Sequence, residues 1–323
     1  MNLQVNKLNQ GDEMRIDRFS SFLYQKGRLD CTEMKPVKSH VFRIKTPKEE
    51  EYILKKHAKP KILEQQWDFF EQLPASVVVP FVRFPNGRKY IKHNQYFWTL
   101  APYIDGDKLN YATADDRQAA LVTLRQFHQD AKSITVQNPI KQQLFYIRWS
   151  RRLSTFKKTE HHFLKYGFET LFRDIVRTTK LHLELVSQLP WREIEQRAEE
   201  KMEWVHGDVA SHNFIRNSSV YMIDFDLLSR SPVLYDYIQL GQRFLPYLNW
   251  DFDKLLAYQM VSERQLKLWI NAILVPTDVL REWLHFLKRG SANSVYHYLS
   301  RMEREWLMRH SFFKKAKLML KSI

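Results

Sequence analysis

The chain has 323 residues, 44% of them apolar and 14% aromatic, a composition that builds a packed core and excludes a disordered chain. The 51 Lys and Arg outnumber the 36 Asp and Glu, and the formal net charge of +15 favours anionic partners over a polycationic substrate. The single cysteine, Cys31, excludes an intrachain disulfide framework and a Cys-rich zinc site, and a reducing cytoplasm is the simplest setting.

No stretch approaches the ~18 apolar residues of a spanning helix. The opening MNLQVNKLNQGDEMR lacks the apolar core of a secretory leader. Of the eight glycines none lies between Gly27 and Gly87, which excludes glycine-rich phosphate loops there. GxSxG and HExxH are absent, so nucleophile-elbow hydrolases and zincin proteases are excluded as well.

In chain order, residues 39–45 (SHVFRIK) and 51–55 (EYILK) alternate like strands, and the polar TPKEE between them predicts a hairpin. Residues 61–73 (KILEQQWDFFEQL) carry Ile62, Trp67, Phe69, Phe70 and Leu73 on a helical stripe that Pro74 stops. Val77–Val79 and Phe81–Phe84 are strand-like. Residues 88–91 and 96–101 predict a second hairpin around His93 and Asn94. This first part reads as four or five strands with one helix.

The pattern turns helical after Gly106. Residues 114–130 place Leu121, Leu124, Phe127 and His128 at helical spacing, and 169–189 and 193–203 read as further helices. A strand-like island at 204–225 interrupts them, and helical text resumes from about Asp236. The expected class is α+β: an antiparallel-sheet lobe with one helix, joined by a short hinge to a larger, mostly helical lobe. The boundaries expected are 1–104 and 105–323.

The island carries the chemistry. It reads WVHGDVASHNFIRNSSVYMIDFD, with His206-Gly207-Asp208, then Asn213, then Asp224 closing an apolar run. A turn at Asn217 and Ser218 folds Val220–Ile223 back beside Phe214-Ile215, which brings Asn213 and Asp224 to one end of a hairpin. A carboxylate and an amide oxygen there suit Mg²⁺, a hard cation that takes oxygen ligands and keeps waters. Asp208, on the loop between, is suited to take a proton from an attacking hydroxyl.

HGD-x4-N followed by an apolar strand ending in Asp resembles the active-site words of the aminoglycoside phosphotransferase and choline kinase superfamily, which shares the protein-kinase fold. The resemblance implies Asp208 as catalytic base, Asn213 and Asp224 as metal ligands, and ATP with Mg²⁺ as cofactors. His206 and Asp236 would support the loop. It also implies that Lys55, closing YILK, binds the α- and β-phosphates, paired with Glu64 on the following helix or, as second choice, Glu71. Residues 100–106 (LAPYIDG) resemble the linker whose backbone binds adenine, Pro102 through its carbonyl and Ile104 through its N–H. Within the superfamily the chain is most similar to CotS-like spore-coat-associated proteins. The features are KPVK at 35–38, the hinge phrase ending in Tyr-Ile-Asp-Gly, the Phe127-His128 pair and SPVLYDYIQL at 231–240. A cytoplasmic phosphotransferase acting on an unidentified hydroxyl, with spore-coat proteins as partners, is the function implied.

One departure stands out. The first hairpin, MKPVKSHVF, has no glycine to let backbone N–H groups approach phosphate. Either Lys35, Lys38, Ser39 and His40 contact phosphate through side chains, or the chain is a kinase-shaped scaffold with weak nucleotide binding. Two basic segments have more than one reading. IRWSRRLSTFKK at 147–158 fits nucleic acid or a solvated helix face. The segment 301–323 repeats Trp306, Phe313 and Leu320 every seven residues, with Arg309, Lys314, Lys317 and Lys321 off that face, and fits a membrane surface, a coat protein or packing onto the helical lobe. His161-His162 reads as surface.

Overall fold

The computed structural model describes residues 10–74, 76–132, 134–290 and 294–323. The first nine residues, on which the leader reading partly rests, lie outside them. Contacts divide the chain into two compact units. One comprises Met1–Asp107 with Ile134–Asn138 and Ile215–Ile223; the other comprises Lys108–Ser133, Pro139–Phe214 and Asp224–Ile323.

The first unit is built on five antiparallel strands: β1 (Glu33–Lys38), β2 (Val41–Lys45), β3 (Glu51–His57), β4 (Ile91–His93) and β5 (Tyr96–Pro102), in the order β1-β2-β3-β5-β4. β2 and β3 form the expected hairpin, with Val41 opposite Lys55 and Lys45 opposite Glu51. β4 and β5 form the second, closed by Asn94 in the left-handed region at φ 53°. Ile44, Leu54, Trp98 and Leu100 point to one face and join Leu23, Leu29, Phe84 and Ile91 in a core. That face is covered by α1 (Gln10–Gly27), whose Phe19 ring lies 4.7 Å from Trp98. The sequence reading did not include this helix: its apolar residues are few and its remainder is strongly polar. α2 (Pro60–Phe70) starts with Pro at its first turn and buries Leu63, Trp67, Phe69 and Phe70.

A correction concerns 77–84. Instead of two strands, this segment makes isolated bridges, Val78 to Met222 and Val82 to Leu100. Its apolar residues satisfy burial without a ladder, and Pro80 lacks the N–H a ladder needs.

The second unit is mostly helical. Its own short strands are β7 (Trp204–Val205) and β10 (Ser229–Arg230), which pair with each other; β6 (Asp107–Lys108) and β8 (Phe214–Arg216) fall at the unit boundaries in sequence, and β9 (Val220–Met222), which pairs with β8, belongs to the first unit. The helices are α3 (Ala114–Asp130), α4 (Phe145–Lys157), α5 (Glu160–Lys165), α6 (Glu169–Ser187), α7 (Trp191–Glu200), α8 (Leu234–Phe244), α9 (Phe252–Leu256), α10 (Glu263–Ile273), α11 (Thr277–Arg289) and α12 (Val295–Ser322). α3 matches its predicted bounds, with Thr113 capping its start by accepting from the Asp116 N–H. The basic run at 147–158 lies on α4, which buries Trp149, Leu153 and Phe156 against α6 and α11. Three buried indoles of this unit find acceptors, Trp191 on the Val186 carbonyl, Trp269 on the Tyr237 carbonyl and Trp306 on Asp174, whereas those of Trp67 and Trp98 in the first unit have none among the described residues.

α12 buries Trp306 and Phe313 as the heptad spacing predicts. Arg309 departs from the expected solvent side. It is 5% exposed, forks onto Asp278 of α11 (Nη1–Oδ1 3.0 Å, Nη2–Oδ2 2.5 Å) and stacks 3.8 Å from the Trp250 ring. A bidentate carboxylate and an aromatic face together offset the cost of burying a guanidinium. Among the described residues no helix is long and apolar enough to cross a membrane.

His182 of α6 carries a prediction. Its ring stacks on Phe313 at 5.8 Å, it is 1% exposed, and both nitrogens lack partners among the described residues. Burial, with Lys317 nearby, pushes it down to about 4. The unfolded chain therefore takes up a proton at about pH 6.5 that the folded chain refuses. This contribution to stability is complete above pH 6.5 and shrinks as pH falls towards 4, by up to roughly 3 kcal/mol. His182→Leu should flatten the pH dependence of urea unfolding between pH 6.5 and 4; an unchanged slope would contradict the assignment.

Candidate functional site

The β7–β10 pair sets the entry to the loop, with Val205 opposite Ser229 and Trp204 opposite Arg230. Beyond β7 the chain turns at Gly207, whose φ of +82° suits glycine. A Cβ there would meet the Leu227 carbonyl oxygen at 2.7 Å and the Leu227 Cβ at 2.8 Å. Close packing and backbone angle together require glycine between His206 and Asp208.

The loop is held from below by one face of α8. Asp236, with no exposed surface, accepts from the His206 N–H at Oδ2 (2.8 Å) and from the Gly207 N–H at Oδ1 (2.9 Å). His128 of α3 donates to the same Oδ2 from Nε2, at 3.0 Å, and its Nδ1 lies 3.2 Å from the Tyr237 hydroxyl. One helical turn on, Gln239 Nε2 donates to the Gly207 carbonyl at 3.0 Å. A further turn on, Arg243 Nη2 donates to Asp208 Oδ1 at 2.5 Å. Positions i, i+3 and i+7 share a helix face, so three side chains of α8 grip consecutive residues of the loop.

Asp208 is fixed from a second direction. Asn213, buried in the 3-10 turn Ser211–Asn213, donates from Nδ2 to the Asp208 carbonyl (2.9 Å) and to Asp208 Oδ2 (3.3 Å). His206 is fully buried, packs its ring 4.5 Å from Phe225, and its Nδ1 accepts from the Asp208 N–H at 3.2 Å. Asp224 follows β9 in the left-handed region, φ +66°, a conformation that Asp tolerates better than most residues.

The donor set fits a hard divalent cation. Because the Asn213 amide nitrogen is spent on Asp208, its oxygen is left as an acceptor, and amide and carboxylate oxygens such as those of Asn213 and Asp224 are the ligand types such a cation takes. Among the described residues no group of three His, Cys, Asp or Glu forms a self-sufficient metal cage. Such a cation would take its other ligands from phosphate and water.

The remaining predicted residues belong to the first unit. Lys55 lies on β3, opposite Val41 and Thr99. Pro102 ends β5 opposite Tyr52, and Ile104 follows it, half-buried. Glu64 is exposed on α2 and has no ion pair among the described residues. Its alternate, Glu71, sits just past α2 and binds Lys89 (2.7 Å) and Arg83 (2.5 Å); the Lys89 hydrogen bond first, and then the Arg83 charge, hold its carboxyl below the usual range. The buried polar groups of α2 are Gln65 and Gln66. The glycine-free turn between β1 and β2 places Ser39 Oγ 3.3 Å from His40 Nδ1.

Arg243 and Gln239 were missed in the sequence, although a signal for them existed. Once Asp236 is placed on a helix, spacings of three and seven identify the next polar residues on its face. Arg243 also borders a cavity of about 460 Å³ that runs from Ala210, Ser211 and His212 to Tyr247 and Arg281.

No curated protein matches the chain in sequence. Solved structures share its fold. The aminoglycoside phosphotransferase of Alicyclobacillus acidocaldarius superposes with a TM-score of 0.69 at 16% identity, covering 91% of this chain and 93% of that one. A spectinomycin phosphotransferase in complex with ADP and spectinomycin gives 0.60 at 12%, covering 90% and 98%. An amicoumacin kinase in complex with AMP-PNP, Ca²⁺ and Ami gives 0.55 at 15%, covering 92% and 95%. Residues 35–258 match the phosphotransferase enzyme family, a span that includes the sheet, the 206–213 loop and α8, and the chain therefore belongs to that family.

Proposed function

We propose that the chain transfers the γ-phosphoryl group of ATP, bound with Mg²⁺, to a hydroxyl of an acceptor molecule. The observation that carries this reading is the fixed carboxylate of Asp208. It is held at one oxygen by Arg243 and at the other by Asn213, on a loop anchored by Asp236 and bordering a cavity. In the step proposed, the acceptor oxygen bonds to the γ-phosphorus and the bond to the β–γ bridging oxygen breaks. The acceptor proton passes to Asp208. Bound at Asn213 and Asp224, Mg²⁺ would neutralise phosphate charge. Lys55 is proposed to bind the α- and β-phosphates, and the backbone at Pro102 and Ile104 to bind adenine. Glu64, exposed on α2, is proposed to pair with Lys55. Relatives bound to ADP and to AMP-PNP with Ca²⁺ support a nucleotide and a divalent metal.

The resemblance to CotS-like proteins adds a setting to this proposal, a role in spore-coat formation with coat proteins as partners. A second reading, a catalytically weak scaffold of the coat, is favoured by the glycine-free turn at Ser39 and His40. The two readings differ in turnover. Asp208→Ala should lower the rate of ADP formation from Mg-ATP by about 10²–10⁴-fold while AMP-PNP affinity stays within a few-fold. Full activity in the variant would exclude Asp208 as the base. Wild-type protein that binds no nucleotide would favour the scaffold.

The anchor gives a separate expectation. Asp236→Asn replaces one acceptor oxygen by a donor facing a backbone N–H or His128, so a buried donor loses its partner. The cost expected is about 1–3 kcal/mol of unfolding free energy, together with reduced turnover. Unchanged stability in urea denaturation would show that the loop does not depend on this carboxylate. Gly207→Ala should be more damaging still, because it adds left-handed strain to the clash with Leu227.

A further inference from the structure

The cavity lined by Arg243, the partner of Asp208, names a class of acceptor, and this inference rests on the phosphotransfer reading above. Its charged lining is balanced in number, three arginines (Arg243, Arg281, Arg309) and three acids (Asp278, Glu282, Glu305), but the two sets are not equally satisfied. Asp278 is committed to both terminal nitrogens of Arg309. One oxygen of Glu282 takes both Nε and Nη2 of Arg281, at 3.1 and 2.9 Å. Glu305 lies 3.7 Å from Arg301 at an exposed position. No acid of the lining faces the cavity without a guanidinium.

Arg243 is different. Its side chain is largely buried, and of its three nitrogens only Nη2 has an acceptor, Asp208. Nε is closed off from solvent with no partner, and Nη1 makes no hydrogen bond among the described residues. A guanidinium offers five N–H groups in a planar fork and accepts nothing. Nε is out of a ligand's reach, but Nη1, without a protein acceptor on a side chain that lines the cavity, calls for an acceptor oxygen from a ligand, because an unmet donor on a largely buried side chain is costly. Arg281 adds to the demand: burial, and after it the charge of Arg281, push the Arg243 guanidinium down, so the two cations are close enough to repel. An anion between them relieves that repulsion.

The rest of the lining sets the size and character of the site. Tyr111 and Tyr247 meet edge-to-face at 6.5 Å, and Trp250 lines the cavity with them, giving apolar faces for a carbon skeleton. The Tyr111 hydroxyl is spent on the Val209 carbonyl, which fixes its ring in place. A volume of about 460 Å³ holds a small metabolite rather than a folded partner.

We propose that this cavity is the acceptor site and that it takes a small hydroxyl compound bearing a carboxylate or phosphate group, which Arg243 binds with Arg281. Because the same guanidinium also holds Asp208, the anionic group is seated next to the base, and a hydroxyl close to that group is the one presented for transfer. Arg243 is thereby a specificity residue, and polycationic acceptors are disfavoured.

The test is a thermal-shift titration of the full chain at constant ionic strength. The probes are inorganic phosphate, glycerol 3-phosphate, glycerol and kanamycin, applied to wild type, Arg243→Gln, Arg243→Lys and Arg281→Gln. A ligand that binds only the folded state raises the melting temperature saturably. Glycerol 3-phosphate should protect wild type, glycerol should not, and the apparent Kd should weaken at least ten-fold in Arg243→Gln. Arg243→Lys should recover part of the loss, and Arg281→Gln, an exposed position, should show a smaller one. Equal protection of wild type and Arg243→Gln would overturn the proposal. So would protection by kanamycin in preference to both anions, or no saturable response to either anion. AMP-PNP with Mg²⁺ is titrated in parallel: its failure to bind, with anion binding intact, sinks the phosphotransfer reading and leaves the anion site standing. Nucleotide binding without any anion response sinks this inference alone.

Discussion

A single buried carboxylate organises the site. Asp236 has no exposed surface, and it accepts from two consecutive backbone N–H groups of the loop and from His128. Burying a carboxylate is expensive unless its lone pairs are met by good donors. Three donors meet that demand here, and moving the loop would take two of them away from the buried carboxylate. Gln239 and Arg243 extend the same helix face to the Gly207 carbonyl and the Asp208 carboxylate. The loop's conformation is thus set by α8, and α8 is set by its own apolar packing through Leu234, Ile238 and Leu240.

This arrangement assigns contrasting tasks to acidic side chains of the same unit. Asp236 is wholly enclosed and serves geometry. Asp208, half-exposed and held by Arg243, which lines the cavity, is the carboxylate proposed to meet an acceptor. Asp224, in the left-handed region after β9, stands with the Asn213 amide oxygen in the proposed metal set. Preorganisation of this kind is what phosphoryl transfer asks of a protein, because positioning and electrostatics supply most of the rate. The family membership is therefore consistent with the physical reading of the loop, and the paired acids and spare Arg243 donors are features of this chain's own lining.

Much of this architecture is legible in the sequence. The antiparallel class and the helical second part follow from a change of period near Gly106, and the 204–226 island stands out because strand-like text interrupts helical text and carries His206-Gly207-Asp208, Asn213 and Asp224 at set spacing. What escaped the sequence has physical causes. α1 is polar over much of its length, so its core contacts through Phe19, Phe22 and Leu23 leave a weak periodic signal. The 77–84 segment is as apolar as a strand but pairs only at Val78 and Val82. Arg309 was assigned to solvent because charge is normally exposed. Asp278, 31 positions away, and Trp250 reverse that preference, and both are long-range contacts. Arg243 was hidden for a related reason, since its partner Asp208 lies 35 residues earlier in the chain.

The central claim is that Asp208, Asn213 and Asp224 form a working metal–nucleotide site rather than a relic of one. The most direct measurement is a calorimetric titration of AMP-PNP into the full chain, with and without Mg²⁺, for wild type and Asp224→Ala. The account predicts saturable binding that requires Mg²⁺ in wild type and disappears in the variant. Binding that is indifferent to Mg²⁺ and unchanged in Asp224→Ala, or no binding by wild type at millimolar nucleotide, would contradict it.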